Sequence, residues 1–481
     1  MSQKGRLLYI ILYCTAIYAT VKLRPIALYI NIGKMAAILR DLALLVPASR
    51  DDGRRIFLLG AFLFYAVEQL LRYRKHLAFR QGIPPAFRGK VTPEKYTETV
   101  DYNKSKNQFG ALSDAYSLFL LLVQVHYLWP LCWDSALAYA PEDTAWFSAA
   151  TVLRPTLFVV LDMLISTCLT EPMTLYATFI VEEKFVKHTA ATYISDKLKG
   201  LALNLVITLV MMIGLTRITE WAGPGAWVYL WAFISAFVFV LNVAYPVYIA
   251  PLFNTFTPLE EGTELRGAID ALVEKSGIDC RQCFMVDGSR QSAHSNAYVA
   301  GMCGSRRIVI YDTLVKDFDS DLERVSAVIG HEIGHAKMNH NWALLGATML
   351  QFGIMFGTFG HFQGNAAIVT SFGFRGGAST FLELNCFMAV FQSTVFPLCT
   401  VAMNAMVRQL EFAADRYSVE LGFDIRPALF DLSKSNLGDL NPDSWHSAYH
   451  HNHPPLLERL NAVSDLLGPM PEVTSVTKKD E

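Results

Sequence analysis

Hydrophobic residues occur in long runs along most of the chain, separated by short polar stretches. A membrane-spanning α-helix needs about 20 mostly apolar residues, so the pattern from residue 56 onward predicts about seven transmembrane helices. The predicted spans are Ile56–Leu71, Ser117–Tyr139, Pro155–Ile180, Gly200–Ile218, Trp227–Ile249, Trp342–Phe362 and Phe381–Met406. We therefore expect a mainly α membrane protein.

Several of these spans carry ionisable or amide side chains, including Glu68, Asp162, Glu171 and Asn242. Such groups are costly in lipid, so they are expected to face the interior of the bundle or a wet cavity. This favours a hollow bundle. The alternative is hydrogen bonding between neighbouring helices.

Residues 1–50 form an N-terminal extension. Leu7–Val21 is apolar and follows Lys4 and Arg6, which is typical of a signal segment or a short anchor. It is short for a full span, and no clear cleavage site follows it. We interpret it as a possible extra membrane segment that is retained.

Composition supports a membrane protein and gives no sign of a nucleic-acid partner. Of the 481 residues, 52% are hydrophobic and only 17% are charged, and the net charge is −2, so there is no basic surplus to bind nucleic acid. Eight cysteines are scattered along the chain. Cys280 and Cys283 form a single C-x-x-C without a second pair, so we expect a structural role rather than a zinc ribbon.

The distribution of lysine and arginine predicts the orientation in the membrane. The loops after the first and third spans are rich in basic residues, whereas the loops around 141–154 and 220–226 are nearly devoid of them. By the positive-inside rule the basic loops are cytosolic. Counting crossings then places residues 251–341 and the C-terminal tail in the cytosol. One conflict remains, because the basic residues between 22 and 55 would be lumenal if residues 1–50 contain a true crossing.

Between the fifth and sixth predicted spans the sequence is typical of a soluble domain. Leu265–Ser276 has the spacing of an amphipathic helix, and Cys283–Val286 and Arg307–Tyr311 are short β-branched runs that predict strands. An exposed edge strand of such a sheet can hold an extended peptide through main-chain hydrogen bonds.

The motif with the clearest chemistry is H-E-x-x-H, formed by His331, Glu332 and His335. Two histidines four residues apart lie on one face of a helix and can both reach one Zn²⁺. Glu332 can then take a proton from a zinc-bound water. His340 lies five residues after His335, which places it off the ligand face, so a structural role is expected.

A catalytic zinc site of this kind needs a third protein ligand, and Glu411 is the natural candidate. Glu411 and Asp415 are again four residues apart, and Asp415 can accept the free N–H of a ligating histidine. Two predicted spans lie between His335 and Glu411. Because that number is even, both ligand helices end on the same side of the membrane.

Six ordered motifs resemble the type I CAAX prenyl protease family of integral-membrane zinc endopeptidases, over about Arg54 to Leu467. They are Tyr248–Leu259, Ser292–Tyr298, Arg307–Leu314, the H-E-x-x-H helix, Glu411–Asp415 and His453–Leu460. The resemblance implies a seven-helix barrel around a water-filled chamber, capped by an α+β zinc metallopeptidase domain. It also implies removal of the last three residues from proteins with a prenylated CAAX cysteine.

The resemblance further implies a role for each site residue. His331, His335 and Glu411 would bind one zinc ion per chain, Glu332 would be the general base, and Asp415 would orient a ligand. His453 would stabilise the oxyanion or the substrate backbone, and Arg459 would line the active site. His294 and Asn296 would lie on the strand at the substrate side of the cleft.

The implied organisation places membrane helices 1–5 in residues 51–250 and helices 6–7 in 342–406, with the peptidase domain split between 251–341 and 407–481. The partners would be prenylated CAAX proteins or peptides and the lipid bilayer. Lys478 and Lys479 near the C-terminus resemble a cytosolic dilysine retrieval signal. The expected location is therefore the endoplasmic reticulum membrane, with the zinc site facing the cytosol, and the inner nuclear membrane as a second location.

Three other interpretations stay open. The chain could be a membrane quality-control metallopeptidase that needs no prenyl group, or it could carry out both activities. A catalytically silent isoprenoid carrier is the third, although a carrier has no need of a base beside a metal.

Overall fold

Long α-helices dominate the structure, a computed structural model that describes residues 52–140, 142–143, 148–187, 189–280, 282–290, 292–302, 306–375 and 379–469. The segment Leu7–Val21 and the tail with Lys478 and Lys479 lie outside these residues. The helices are α1 (Asp52–Ala78), α2 (Pro93–Val123), α3 (Trp129–Tyr139), α4 (Arg154–Tyr176), α5 (Ala190–Ala222), α6 (Ala226–Ala244), α7 (Glu264–Ser276), α8 (Asp312–Asp317), α9 (Leu322–Lys337), α10 (His340–Phe362), α11 (Ala366–Ser371), α12 (Thr380–Thr394), α13 (Phe396–Glu420), α14 (Arg426–Ser435), α15 (Ser444–His450) and α16 (Leu456–Leu467).

Six helical segments within the described residues are long and apolar enough to cross a membrane, and they confirm the first six predicted spans. Most extend well beyond the predicted apolar stretch, and several include a π-helical turn. They are Gly53–Ala78, Pro93–Tyr139, Ala149–Val181, Ala190–Ala222, Ala226–Leu252 and His340–Phe362.

The seventh predicted span, Phe381–Met406, is not one straight helix. Helices α12 and α13 meet at a bend of 55° and together are apolar enough for one crossing. Val395 lies at the break and Pro397 opens the second helix. Because Pro397 has no N–H to donate to the preceding turn, a continuous helix is interrupted there. The second helix then continues to Glu420, well past the predicted end of the span.

The spanning helices form a closed ring. Contacts run from α1 to α2, from α3 through α4 and α5 to α6, then to α10 and α12, and from α12 back to α1. In the most apolar stretch of each of these six spans, at most 28% of the residues are buried inside the protein. The wall of the ring is therefore one helix thick, as expected for the predicted barrel.

Polar groups inside the spans are mostly paired with other helices. Asp162 accepts hydrogen bonds from the Gln124 side chain at 3.0 and 2.9 Å. Glu171 on α4 accepts a hydrogen bond from Tyr193 on α5 at 2.6 Å. Asn242 donates at 2.9 Å to a carbonyl of its own helix. These contacts correspond to the alternative in which such groups bond within and between helices.

The soluble part contains a four-stranded mixed sheet. Its strands are β1 (Phe256–Pro258), β2 (Gln282–Val286), β3 (Ala297–Ala300) and β4 (Arg307–Tyr311), in the order β1-β2-β4-β3. Only β2 and β4 are parallel. Helix α9 packs against β3, which is an edge strand. The sheet, the predicted α7 and the H-E-x-x-H helix share one buried hydrophobic core.

His294 and Asn296 do not lie on a strand. They precede β3, which begins at Ala297. The Asn296 side chain accepts a hydrogen bond from the N–H of Ala297 at 2.9 Å, a local bond that competes with regular strand pairing.

Candidate metal centre

Helix α9 carries both histidines of the H-E-x-x-H motif close to its C-terminus. Asp321 caps the other end, where its side chain accepts hydrogen bonds from the N–H groups of Glu323 and Arg324 at 3.0 and 3.2 Å. His331 and most of the helix are buried, in keeping with its position between the sheet and α13.

Small residues allow α9 and α13 to approach closely. A Cβ atom on Gly334 would lie 3.1 Å from Cβ of Tyr417 and 3.3 Å from Cα of Ala414. Across the same interface, the Ser418 hydroxyl donates to the Ala327 carbonyl at 2.8 Å. The missing side chain at Gly334 therefore lets the helix with Glu411 lie directly against the helix with the two histidines.

The side chains of His331, His335 and Glu411 converge at this interface. Their ligand atoms all lie within 4.8 Å of one another. Nε2 of His331 is 3.1 Å from Nε2 of His335, and the Glu411 carboxylate oxygens are 3.5 and 3.3 Å from these two nitrogens. Four tetrahedral bonds of about 2.1 Å place ligand atoms about 3.4 Å apart, so this group fits a tetrahedral metal ion.

A buried ion pair stands behind His331. Nδ1 of His331 is 2.9 Å from an Asp415 oxygen. Arg459 donates to both Asp415 oxygens, from Nε at 2.8 Å and from Nη2 at 2.5 Å. Asp415 is almost fully buried, and this bidentate pair compensates its charge. The arrangement fixes the ring of His331 with Nε2 towards the ligand group.

His340 stands behind His335 in a similar position. Its Nδ1 is 2.8 Å from Nδ1 of His335, and the side chain is buried. Helix α9 ends at Lys337, Asn339 adopts a left-handed backbone conformation with φ of 56°, and α10 starts at His340. The helix break at Asn339 leaves His340 against His335, where it supports a ligand without being one, in keeping with the expected structural role.

Glu332 and His453 complete the site. Glu332 makes no hydrogen bond or ion pair with any described residue, and its electrostatic neighbours are His331, His335, Glu411 and His453. Nδ1 of His453 lies 2.7 Å from a Glu411 oxygen, and 59% of the His453 side chain is exposed. A free carboxylate and a reachable imidazole thus lie beside the ligand group.

The surroundings of the site shift the pKa of several groups, among them His331 and Glu332. Burial lowers the pKa of His331, but hydrogen bonds to Asp415 and Glu411 outweigh burial and raise it to about 9. Burial raises the pKa of the Glu332 carboxyl, while His331 and His335 oppose that change. The cluster therefore favours a cation, and Glu332 is a stronger base than an exposed glutamate.

His294 and Asn296 lie apart from this cluster in the contacts they make. Nδ1 of His294 is 3.0 Å from Oδ1 of Asn436, and its ring stacks on Phe185 with centroids 4.0 Å apart. Asn296 is exposed at the start of the edge strand β3. His294 therefore lies at a junction between the loop that follows α4 and the end of α14.

The closed ring of spanning helices and the ligand group on an H-E-x-x-H helix define a membrane-embedded metallopeptidase. Two family models match the chain: "CAAX prenyl protease N-terminal, five membrane helices" over residues 72–255, and "Peptidase family M48" over residues 260–467. A crystal structure of S. mikatae Ste24p has the same fold, with a TM-score of 0.79, 29% identity, and coverage of 85% of this chain and 99% of that one.

Curated relatives agree over most of the chain. A rice (Oryza sativa subsp. japonica) protein named CAAX prenyl protease 1 homolog is 34% identical over 84% of this chain and 95% of its own length. The CAAX prenyl protease 1 of Saccharomyces cerevisiae is 32% identical, with coverage of 83% and 92%. A human CAAX prenyl protease 1 homolog is 30% identical, with coverage of 86% and 96%. The chain belongs to the CAAX prenyl protease 1 family of M48 metallopeptidases.

Proposed function

We propose that this protein is a zinc endopeptidase that removes the last three residues from proteins whose C-terminal CAAX cysteine is prenylated. The observation that carries the proposal is the spacing of 3.1 to 3.5 Å among the ligand atoms of His331, His335 and Glu411, with the unpaired carboxylate of Glu332 beside them. The names of the relatives indicate the substrate class.

Zinc suits the donor set. Two imidazole nitrogens and one carboxylate oxygen form a common catalytic zinc site, in which the fourth position is left for water or substrate. We assign one Zn²⁺ per chain to His331, His335 and Glu411. Zinc bound there would polarise the scissile carbonyl and make a water molecule acidic enough to react near neutral pH.

The chemistry of the remaining steps falls to the side chains around the ligands. Glu332 takes the proton from the attacking water and delivers it to the leaving amine. His453 is exposed beside Glu411, where it can donate a hydrogen bond to the oxygen on which negative charge develops. Proton transfer by Glu332 and hydrogen-bond donation by His453 both need a side chain that is held in place and still has an atom free to reach the substrate.

Three other groups hold the ligands in position. Asp415 accepts from Nδ1 of His331, and His340 bonds Nδ1 of His335, so that each ligating ring keeps Nε2 towards the metal position. The Nε and Nη2 edge of the Arg459 guanidinium is used on Asp415. We therefore assign Arg459 a positioning role through Asp415 instead of a direct contact with substrate.

The peptide would pair with the edge strand β3, which packs beside α9. Asn296, exposed at the start of β3, is placed to meet it, while His294 would act through the junction with Asn436. The isoprenoid would stay among apolar helices or in the bilayer. We place the protein in the endoplasmic reticulum membrane, and secondarily in the inner nuclear membrane, with the site open to the cytosol.

Hydrolysis of matched peptides by the purified protein in detergent tests the proposal. One peptide is farnesylated on its CAAX cysteine and the other is not, and each is incubated with and without a zinc chelator. We expect release of the last three residues from the farnesylated peptide, loss of that release with chelator, and recovery when Zn²⁺ is returned. Equal cleavage of both peptides would favour a general membrane peptidase. Full activity after complete metal removal would reject the zinc mechanism.

A further inference from the structure

Arg408 is a charged residue next to the metal centre that the proposed chemistry does not use. It lies three residues before Glu411 on α13, so the two side chains leave neighbouring positions on the helix surface. No carboxylate of the described residues lies within ion-pair distance of its guanidinium. By comparison, Arg459 pairs with Asp415 through its Nε and Nη2, and Arg324 on α9 pairs with Asp431.

One side of the Arg408 guanidinium is fixed by the main chain. Its Nη1 donates to the carbonyls of Ser447 at 3.4 Å, Ala448 at 2.9 Å and His451 at 3.0 Å. Ser447 and Ala448 lie in the last turn of α15, and His451 is the residue that follows this helix. Nε and Nη2 have no partner among the described residues. These two nitrogens form the edge of a guanidinium that binds a carboxylate through two parallel hydrogen bonds.

The connection between Arg408 and the metal centre is compatible with the length of the peptide that is removed. His451, held by Arg408, is two residues from His453, whose Nδ1 is 2.7 Å from Glu411. Arg408 is 3.0 Å from the His451 carbonyl, and two residues span at most about 7 Å, so this connection allows a separation of up to about 10 Å between the free edge and the ligand group. Three extended residues also span about 10 Å.

We propose that Arg408 binds the C-terminal carboxylate of the substrate through Nε and Nη2. This inference rests on the proposed function, and it names the feature of the substrate that sets the position of the cut. With the terminal carboxylate held at Arg408 and the chain extended, the third peptide bond from the end lies over the metal centre. The enzyme then measures three residues from the end of the chain.

The test compares three farnesylated peptides of the same sequence: one with a free C-terminal carboxylate, one with a C-terminal amide, and one with an added C-terminal glycine. The readout is the ratio of kcat/KM between acid and amide. Bidentate bonds to a charged group predict that the wild type prefers the acid by about tenfold or more, and that the glycine peptide is also cut more slowly.

The variant Arg408→Gln should reduce the ratio to about one while metal content per chain stays at the wild-type value. Arg408→Lys keeps the charge but loses the paired donors, so an intermediate ratio is expected. Arg416→Gln is the matched control, because Arg416 lies on the same helix and is exposed. It should keep the wild-type ratio.

Equal losses for acid and amide in Arg408→Gln would show that Arg408 only supports α15 and His453, and would overturn the proposal. A wild-type ratio of one would also overturn it, while cleavage of both peptides leaves the proposed function intact. Absence of cleavage of any farnesylated peptide by the metal-loaded wild type would reject the proposed function, and the carboxylate site with it. If Arg408→Gln does not fold, the wild type and Arg408→Lys with the three peptides decide the question.

Discussion

At the scale of single residues, the site combines groups that hold a metal with one group that stays free. Asp415 and His340 each occupy Nδ1 of a histidine, and His453 contacts Glu411. Glu332 is enclosed by the same cluster without a partner of its own. A carboxylate left unpaired in such a place costs stability, which is understandable when its basicity is needed for the reaction.

Replacement of Glu332 by glutamine removes the base and keeps the shape. Because Glu332 is not among the three convergent ligands, we expect Glu332→Gln to bind about one metal ion per chain while kcat falls by about a hundredfold or more. Metal analysis and peptide hydrolysis on the same preparation check both parts. A variant that retains wild-type kcat would remove Glu332 from the mechanism, and one that loses the metal would make it a ligand.

The sequence predicts some of these residues because their positions depend only on helix geometry. The spacing of four residues in His331 and His335, and in Glu411 and Asp415, places each pair on one face of its own helix. Arg459 meets Asp415 across 44 positions of the chain, and such a contact depends on tertiary packing. His340 is not among the convergent ligands, as expected, but its contact with His335 depends on the left-handed backbone at Asn339, which the hydrophobic pattern does not indicate.

At the scale of elements, a polar junction joins the membrane helices to the peptidase domain. Glu182, in the loop after α4, accepts a hydrogen bond from Tyr102 at 2.5 Å and pairs with Lys106 at 2.9 Å, both on α2. Nε2 of His294 lies 3.8 Å from the same carboxylate. The N–H of Ala293 also donates to the carbonyl of Phe185 at 2.8 Å. The segment leading into β3 is thereby fastened to α2 and to this loop.

Loss of the Glu182 charge should loosen this junction. Burial alone would raise the pKa of Glu182, but hydrogen bonds from His294, Tyr102 and Lys106 lower it to about 2. The carboxylate therefore stabilises the folded protein above its unfolded pKa of about 4.5, and this contribution is lost as the pH falls towards 2. At neutral pH, Glu182→Gln should cost about 1–3 kcal/mol.

Thermal unfolding in detergent measures the effect as a lower Tm. The control is Glu183→Gln, since Glu183 is the exposed neighbour and should leave Tm unchanged. The difference between the two variants should stay constant from neutrality down to about pH 5 and shrink below the unfolded pKa of about 4.5, because the unfolded chain then takes up a proton that the folded carboxylate, with a pKa of about 2, does not. Equal Tm values for both variants at neutral pH would show that the junction does not contribute to stability.

Hydropathy predicts the positions of the elements better than their directions. An apolar run shows that Phe381–Met406 crosses the membrane, yet nothing in its hydrophobicity shows the bend of 55° between α12 and α13. The bend occurs at Pro397, and its direction is set by the packing of α12 and α13 against other helices, which hydropathy does not describe. It allows the span to close the ring against α1 and its continuation to carry Glu411 to α9.

At the scale of the whole molecule, the site requires an even number of crossings between its two halves. His335 and Glu411 belong to one cluster, and α10 and the bent pair of α12 and α13 lie between them in the chain. Two crossings return the chain to the side from which it left. The number of crossings is therefore consistent with the convergence of the ligands on one side of the membrane. Which side that is follows from neither observation.

The charge distribution supplies that orientation as a prediction. The loop after α1 contains Arg80, Arg88 and Lys90, whereas the described residues between α3 and α4 include no lysine or arginine. By the positive-inside rule the loop after α1, and with it the metal site, faces the cytosol.

In sealed microsomes, an epitope added after Glu481 should be digested by external protease. A glycosylation acceptor in a spacer inserted at Glu142 should be modified in the lumen. A permeabilised sample controls for the integrity of the vesicles, and a protected epitope with an unmodified acceptor would reverse the orientation and place the site in the lumen.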